Sequence, residues 1–346
     1  MGTFRRWFIS NFLLLSVPLV VAGERKALPP LPDKQGFAGP FAGVSNGALV
    51  VAGGANFPDK KPWEKGKKVW YDSIFVLERP DGEWKSAGKL PRSLGYGVSV
   101  THTGGVVCVG GSDADRHYAD AFRLEWKAGK LITTKLPSLP KPLANGCGAL
   151  VGDVLYVAGG QETPESKDTV KTAWRIDLSA KEPKWKEIEA CPGGGRMLSV
   201  AASFDGAFWL VGGFELVFGK REKMRHYLDD AYRYDPGKGW KRVADLPYPV
   251  VAAPSPAPAD ALGFYVLGGD DGSQVGVDPE KHRGFSKKVL RYDIKTDKWV
   301  EAGGLSAPRV TVPCVPWNRA WVVPSGEVRP GVRTPDVTIF TPAKKE

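Results

Sequence analysis

Histidine, cysteine and methionine are scarce in this chain of 346 residues, at four, four and three. The histidines (His102, His117, His226, His282) and cysteines (Cys108, Cys147, Cys191, Cys314) lack the close spacings that build metal sites, so no metal is assigned. Cys108 lies in the apolar run GVVCVGG, where a free buried thiol is expected. A long hydrophobic span is also missing. The most apolar stretch, Phe12 to Ala22, is too short for a comfortable bilayer crossing. It follows Arg5 and Arg6 and ends near the small residues Val20 and Ala22. Residues 1–22 therefore read as an export signal cut before Gly23, leaving a domain of residues 23–346. RRWFI resembles a twin-arginine motif but lacks the usual Ser or Thr before the arginines. The expected location is periplasmic or secreted, with no membrane attachment after cleavage.

Clustered basic charge is absent too. Removing residues 1–22 takes two of the 48 basic residues and none of the 38 acidic ones, leaving a net charge of about +8. That excess attracts anionic ligands, but its scatter and the lack of any nucleic-acid motif exclude nucleic acid as the expected partner.

Glycine (42), proline (29) and tryptophan (12) are abundant, which suits many short strands and tight turns rather than helices. Five apolar runs end in Gly-Gly: GALVVAGG, GVVCVGG, DVLYVAGG, AFWLVGG and GFYVLGG. They recur at intervals of about 50 to 57 residues, the length of a four-stranded kelch unit. Each is followed by a polar loop, a strand such as DSIFVLE or DDAYRYD, and in four units a strand with Trp84, Trp185, Trp240 or Trp299. Tryptophan at a fixed repeat position reads as packing between blades. A sixth run, AWVVPSGE, completes an all-β, six-bladed kelch propeller. The sixth unit lacks its last strand, and RKALPPLP at residues 25–32 is expected to supply it, so that the N-terminal strand closes the propeller. The loops at 55–71, 161–171, 214–229 and 270–287 should crowd one face, around the mouth of the central channel.

The sixth run departs from the pattern, with Ser325-Gly326-Glu327 in place of Gly-Gly and Arg333 beyond a Pro-Gly turn. A three-residue loop over 329–331 would set Glu327 opposite Arg333, and a two-residue Pro-Gly loop would set it opposite Thr334. The sequence leaves both open. A carboxylate that accepts a proton beside a planar guanidinium suits a small hydroxylated acid; the same pair could be a rim salt bridge. Arg92, Arg196 and Arg309 follow the turns after the fourth strands, where a structural role is favoured. Arg196 differs in following three glycines. Asn56 suits a sugar hydroxyl or the holding of a turn, and Tyr96 faces either the channel or the packing.

Four segments carry a family resemblance: SGEVRPGVRTPDV, CPGGGRMLSVAASFDGAFWLVGG, GFAGPFAGVSNGALVVAGGANFPD and LPRSLGYGVSV. In them the chain resembles the kelch-propeller N-acetylneuraminate epimerases, or sialic acid mutarotases, in their cyclically permuted branch. The resemblance implies interconversion of the α and β anomers of N-acetylneuraminate without a cofactor. It places the proton acceptor on Glu327, and substrate contacts on Arg333, Arg196, Asn56 and Tyr96. Around Tyr96 the match is imperfect, since the family's arginine stands nearer the tyrosine than Arg92 does. The implied partner is a small anionic sugar, N-acetylneuraminate or a related ulosonic acid. The alternative is a non-catalytic carbohydrate- or protein-binding propeller. A copper radical oxidase on kelch blades would need clustered His and Tyr ligands with a Cys partner, and the scattered histidines argue against it.

Overall fold

Each apolar run ending in Gly-Gly forms the second strand of a blade. In blade one this strand is Ala48–Ala52, and every residue in it is buried. The same holds for Gly105–Val109, Ala207–Val211 and Gly263–Leu267. A strand covered on both faces reads as a continuous apolar run, and stacked blades cover both faces. Outer strands such as Lys85–Lys89 are largely exposed and polar.

A computed structural model describes residues 25–218 and 223–341. It contains six antiparallel four-stranded sheets. Blade one, for example, runs Phe41–Ser45, Ala48–Ala52, Ser73–Leu77 and Lys85–Lys89. Blade six runs Val315–Trp317, Ala320–Pro324, Val337–Phe340 and then Arg25–Leu28. The proposed signal, residues 1–22, lies outside the described residues. No helix among the described residues is long and apolar enough to cross a membrane.

The expected closure by the N-terminal strand is corrected here: no sheet among the described residues is closed. Arg25–Leu28 pairs with Val337–Phe340, but this only adds an outer strand to the sixth sheet. That sheet stays open, with Arg25–Leu28 at one edge and Val315–Trp317 at the other, so no edges are removed. The reason is geometric: the added strand extends its own blade outward and pairs with no neighbouring blade.

Contacts between blades do the joining. The core is divided into apolar layers, each shared by two successive blades; Leu28, Phe37, Leu49, Leu77, Trp317 and Val337 form the layer between blades six and one. The repeated tryptophans tie the outer strands together. Trp84, Trp185, Trp240 and Trp299 each donate the indole N–H to a carbonyl at the end of the preceding blade's outer strand, at Pro29, Pro137, Glu189 and Ala244, over 2.7–2.8 Å.

Nearer the axis, the second glycine of a pair donates its N–H to the next blade. The acceptors are the carbonyls of Leu94, Leu143, Arg196, Val250 and Phe37. Arg196 thus stands where four other blades carry an apolar wedge. It is 1% exposed and makes a two-pronged bond to Asp230, Nη1 to Oδ1 at 2.7 Å and Nη2 to Oδ2 at 2.9 Å. Its Nη1 also donates to the Gly212 carbonyl at 3.2 Å. Burial pushes the Asp230 carboxyl up, but hydrogen bonds and charge from Arg196 outweigh it and leave it below its ordinary value.

Removing one partner of such a pair strands a buried charge. Asp230→Asn should therefore cost about 3–5 kcal/mol of stability in urea unfolding at pH 7. Because the folded carboxyl is depressed, its contribution is full above the unfolded value near ~3.9 and is lost as pH falls through the folded one. Wild-type stability should drop in that acid window by more than that of Asp230→Asn. An equal acid loss in both proteins would show that the pair does not hold the wedge.

Candidate active site

One backbone position per blade sets the geometry of the channel mouth. Gly39, Tyr96, Asn145, Leu198, Ala252 and Thr311 all have φ between 53° and 61°. Each donates its N–H to the carbonyl of the corresponding residue in the preceding blade, at 2.7–2.8 Å. The circuit passes through all six blades and returns to its start. The residue before each of these pairs with the residue after the blade's Gly-Gly: Ala38 with Ala55, Gly95 with Ser112, Ala144 with Gln161, Met197 with Phe214, Val251 with Asp270 and Val310 with Glu327. Glu327 is therefore the sixth member of a structurally equivalent set around the mouth.

Ser325 takes the first glycine's place with φ +75°. A side chain there would ordinarily meet a backbone carbonyl; at Gly53 an added Cβ would come within 2.2 Å of the Leu94 oxygen. The serine hydroxyl converts that crowding into hydrogen bonds. It accepts from the Phe37 N–H at 2.6 Å and lies 2.7 Å from the Thr334 carbonyl, its acceptor. The chain then turns at Pro330-Gly331, with Arg329 opposite Val332. A register shift between Glu327 and Arg329 sets Glu327 opposite Arg333. The turn is the two-residue one, and the extra residue Val328 restores the facing pair that the three-residue loop would have given.

Glu327 Oε1 accepts the Gly331 N–H at 2.5 Å and lies 3.4 Å from Arg333 Nη1. Side-chain exposure is 15% for Glu327 and 5% for Arg333. The ion contact is not aligned as a hydrogen bond. Arg333 Nε and Nη1 are buried donors without an acceptor among the described residues, while its guanidinium lies 4.7 Å from the Phe57 ring centre. Both residues line a cavity of about 360 Å³ at the mouth. Its floor is apolar, with Leu198, Phe214, Val251, Ala252, Phe285 and Val310 among its members.

Of the other expected site residues, Tyr96 also lines this cavity, and its hydroxyl is buried with no hydrogen-bond partner among the described residues. Arg196 and Asn56 are not brought to it. The fork of Arg196 is filled by Asp230, as described. Asn56, 1% exposed, donates to the Gly36 carbonyl at 2.9 Å and accepts from the Tyr71 hydroxyl at 2.9 Å, so it holds a turn. Arg309 stands at the same wedge position as Arg196, two residues before Thr311, and Arg92 pairs with Asp120 at 3.2 Å.

Three further charged residues line the cavity: Lys68, Arg225 and Asp270. Lys68 Nζ is 5.1 Å and 4.9 Å from the ring centres of Trp70 and Tyr96. Asp270 Oδ2 accepts the Tyr227 hydroxyl at 2.8 Å. Burial first, then the Asp270 charge, push the Tyr227 phenol up to about 12. Asp270 follows Gly268-Gly269 as Glu327 follows Ser325-Gly326, so reading the same position across all repeats would have found it. Tyr227, which faces Phe214, is the counterpart of Arg333 by the same alignment. Arg225 carries no such repeat signal.

Comparison with known proteins agrees with this architecture. The solved structure of YjhT superimposes with a TM-score of 0.67 at 18% identity, covering 92% of this chain and 98% of that one. The N-acetylneuraminate epimerase of Yersinia pestis (strain Pestoides F) is 38% identical over 108 residues, which is 28% of this chain and 27% of that protein. The N-acetylneuraminate epimerase of Haemophilus influenzae (strain PittEE) is 30% identical over 227 residues, 57% of each. The chain thus spans between about a quarter and somewhat over half of the curated relatives it matches. The family model described as N-acetylneuraminate epimerase matches residues 25–133 and 136–276. With most of its length matched by that model, the chain belongs to the N-acetylneuraminate epimerase family.

Proposed function

We propose that the protein is a mutarotase that interconverts the α and β anomers of N-acetylneuraminate or a closely related acidic sugar, acting in the periplasm or outside the cell. The observation that carries this reading is Arg333: a buried guanidinium whose Nε and Nη1 have no hydrogen-bond acceptor among the described residues, in a cavity beside a carboxylate that Nη1 meets only as an ion contact at 3.4 Å. Buried donors are nearly always satisfied in folded proteins, so a pair of orphans at a cavity wall points to an anionic ligand. A planar fork suits a sugar carboxylate.

In this reading Arg333 holds the carboxylate and sets the anomeric centre against Glu327. Glu327 has one oxygen committed to the Gly331 N–H, and no hydrogen bond is made to the other among the described residues. That second oxygen takes the proton of the anomeric hydroxyl, the ring opens to the ketone, and rotation followed by reclosure gives the other anomer. Arg225 and Lys68 add positive charge around the same mouth, which favours an acid over a neutral sugar. Tyr96 offers its unpaired hydroxyl to the sugar, whereas Arg196 and Asn56 act by holding the scaffold.

The deciding experiment adds purified protein to freshly liberated α-N-acetylneuraminate and follows anomer exchange by proton NMR. Wild type should accelerate equilibration, and Glu327→Gln should lose roughly 10²-fold or more of that acceleration while keeping its fold, since glutamine still accepts the Gly331 N–H. Binding with no acceleration by wild type would leave a carbohydrate-binding propeller instead.

Arg333→Lys keeps the charge but not the fork. Titration calorimetry with N-acetylneuraminate should show the Kd rising by roughly 10-fold or more, the worth of a charge-assisted bond in a buried site. An unchanged Kd would remove Arg333 from the carboxylate.

A further inference from the structure

The circuit of left-handed residues makes blade three the blade opposite blade six. From Thr311 it reaches Asn145 in three steps either way, through Ala252 and Leu198 or through Gly39 and Tyr96. The mouth cavity spans the axis between them, with Glu327 and Arg333 lining one side and Asn145 the other. Residues 161–172, the loop of blade three, contribute nothing to its lining, so that blade meets the cavity through Asn145 alone. Asn145 is half-buried and its backbone is engaged, the N–H by the Tyr96 carbonyl and the carbonyl by the Leu198 N–H, both at 2.8 Å. Its side-chain amide makes no hydrogen bond among the described residues, and no other side-chain amide among them lines the cavity. Asparagine enters left-handed backbone more readily than most residues. The circuit does not require it, however, because blades four and five carry Leu198 and Ala252 at the same position, with φ of 53° and 59°.

Resting on the mutarotase reading, we propose that Asn145 reads the acylamino group of the sugar, its Nδ2 donating to the acyl carbonyl. In N-acetylneuraminate the carbon that bears the acetamido group lies across the sugar ring from the anomeric carbon. Arg333 and Glu327 hold the carboxylate and the anomeric centre at blade six. A ring laid across the mouth therefore presents its acetamido group to blade three. An acyl carbonyl taken out of water needs a donor, and the free amide of Asn145 is a neutral one. Leu198, the next member of the circuit, and Phe214 belong to the apolar floor and give the acyl methyl a surface to rest on. The substrate class is thereby narrowed from acidic sugars in general to those with an acylamino group opposite the anomeric carbon. An analogue with a hydroxyl at that carbon keeps the carboxylate and the anomeric hydroxyl but has no acyl carbonyl for Nδ2. Asn145 touches no reacting atom in this arrangement, so its contact is made equally before and during ring opening and belongs to KM rather than kcat.

The test measures kcat and KM for anomer exchange with two acids, N-acetylneuraminate and the analogue that carries a hydroxyl in place of the acetamido group. Wild type and Asn145→Ala are compared, with Tyr96→Phe beside them. The ratio of kcat/KM for N-acetylneuraminate over the analogue should fall roughly 5- to 10-fold in Asn145→Ala, the worth of one hydrogen bond. The fall should lie in KM for N-acetylneuraminate, with its kcat changed by less than about threefold. Comparing the two acids cancels any general damage to the mouth, because such damage lowers both alike. An unchanged ratio in Asn145→Ala, a loss confined to kcat, or an equal fall of the ratio in Tyr96→Phe would overturn the assignment while leaving the mutarotase intact. Should Asn145→Ala not fold, Asn145→Asp keeps the shape and tolerates the left-handed backbone but removes the Nδ2 donor. The same fall in the ratio is then expected there, and an unchanged ratio overturns the proposal. If wild type accelerates exchange of neither acid, the underlying reading fails instead. The ratio is then taken from Kd by titration calorimetry, where the same fall in Asn145→Ala supports the contact and an unchanged ratio removes it.

Discussion

Six backbone hydrogen bonds around the axis hold the geometry on which everything else depends. Each requires a residue at φ near +60°, and five of the six positions are not glycine. Left-handed backbone at an ordinary residue costs about 1–2 kcal/mol. The conformation persists because each of these residues is held on both sides, its N–H bonded to one blade and its carbonyl to the next. The circuit fixes blade order and spacing near the axis, while the tryptophans at the rim and the apolar layers between blades do so farther out. A propeller whose sheets are all open is thereby kept together by what lies between the sheets.

That arrangement turns a position in the repeat into a position in space. The residue after each Gly-Gly, or after Ser325-Gly326 in blade six, is bridged to the residue before a circuit member, so six residues occupy equivalent backbone positions. In four blades these are Ala55, Ser112, Gln161 and Phe214, and in blades five and six they are Asp270 and Glu327. The carboxylates differ in how they are engaged. Asp270 is held at both oxygens, by Tyr227 and Gly272, whereas Glu327 is held at one. The same scaffold thus offers one fixed carboxylate and one with an oxygen to spare.

Much of this was legible in the sequence. The Gly-Gly spacing revealed six units, and the exception at Ser325-Gly326-Glu327 singled out a carboxylate that the structure sets beside Arg333 in the wall of the mouth cavity. The tryptophans read as packing, and each of the four bonds the preceding blade. Closure failed as an expectation because a strand pattern says which blade a segment joins, not whether a sheet ends. That Arg196 and Asn56 do not line the cavity has a related reason. Their residue types suit a sugar acid, but Asp230, Gly36 and Tyr71 had already claimed their donors and acceptors, and those partners are distant in sequence. Asp270 and Tyr227 were readable in principle from the repeat alignment, although their mutual hydrogen bond joins two blades and no periodicity announces it.

Arg196 and Arg333 show why residue type alone does not assign a role. Both are buried guanidiniums in glycine-rich segments of one fold. Removing a guanidinium from water is costly unless its donors are met. At Arg196 the protein meets them with a carboxylate and a carbonyl, and the result is a wedge between blades. At Arg333 the nearest carboxylate is 3.4 Å away and misaligned, because Glu327 is turned toward the Gly331 N–H. If Glu327 swung to pair fully with Arg333, the site would become a second wedge and could take neither a carboxylate nor a proton. The Pro-Gly turn that supplies the competing N–H therefore keeps carboxylate and guanidinium side by side without letting them satisfy each other.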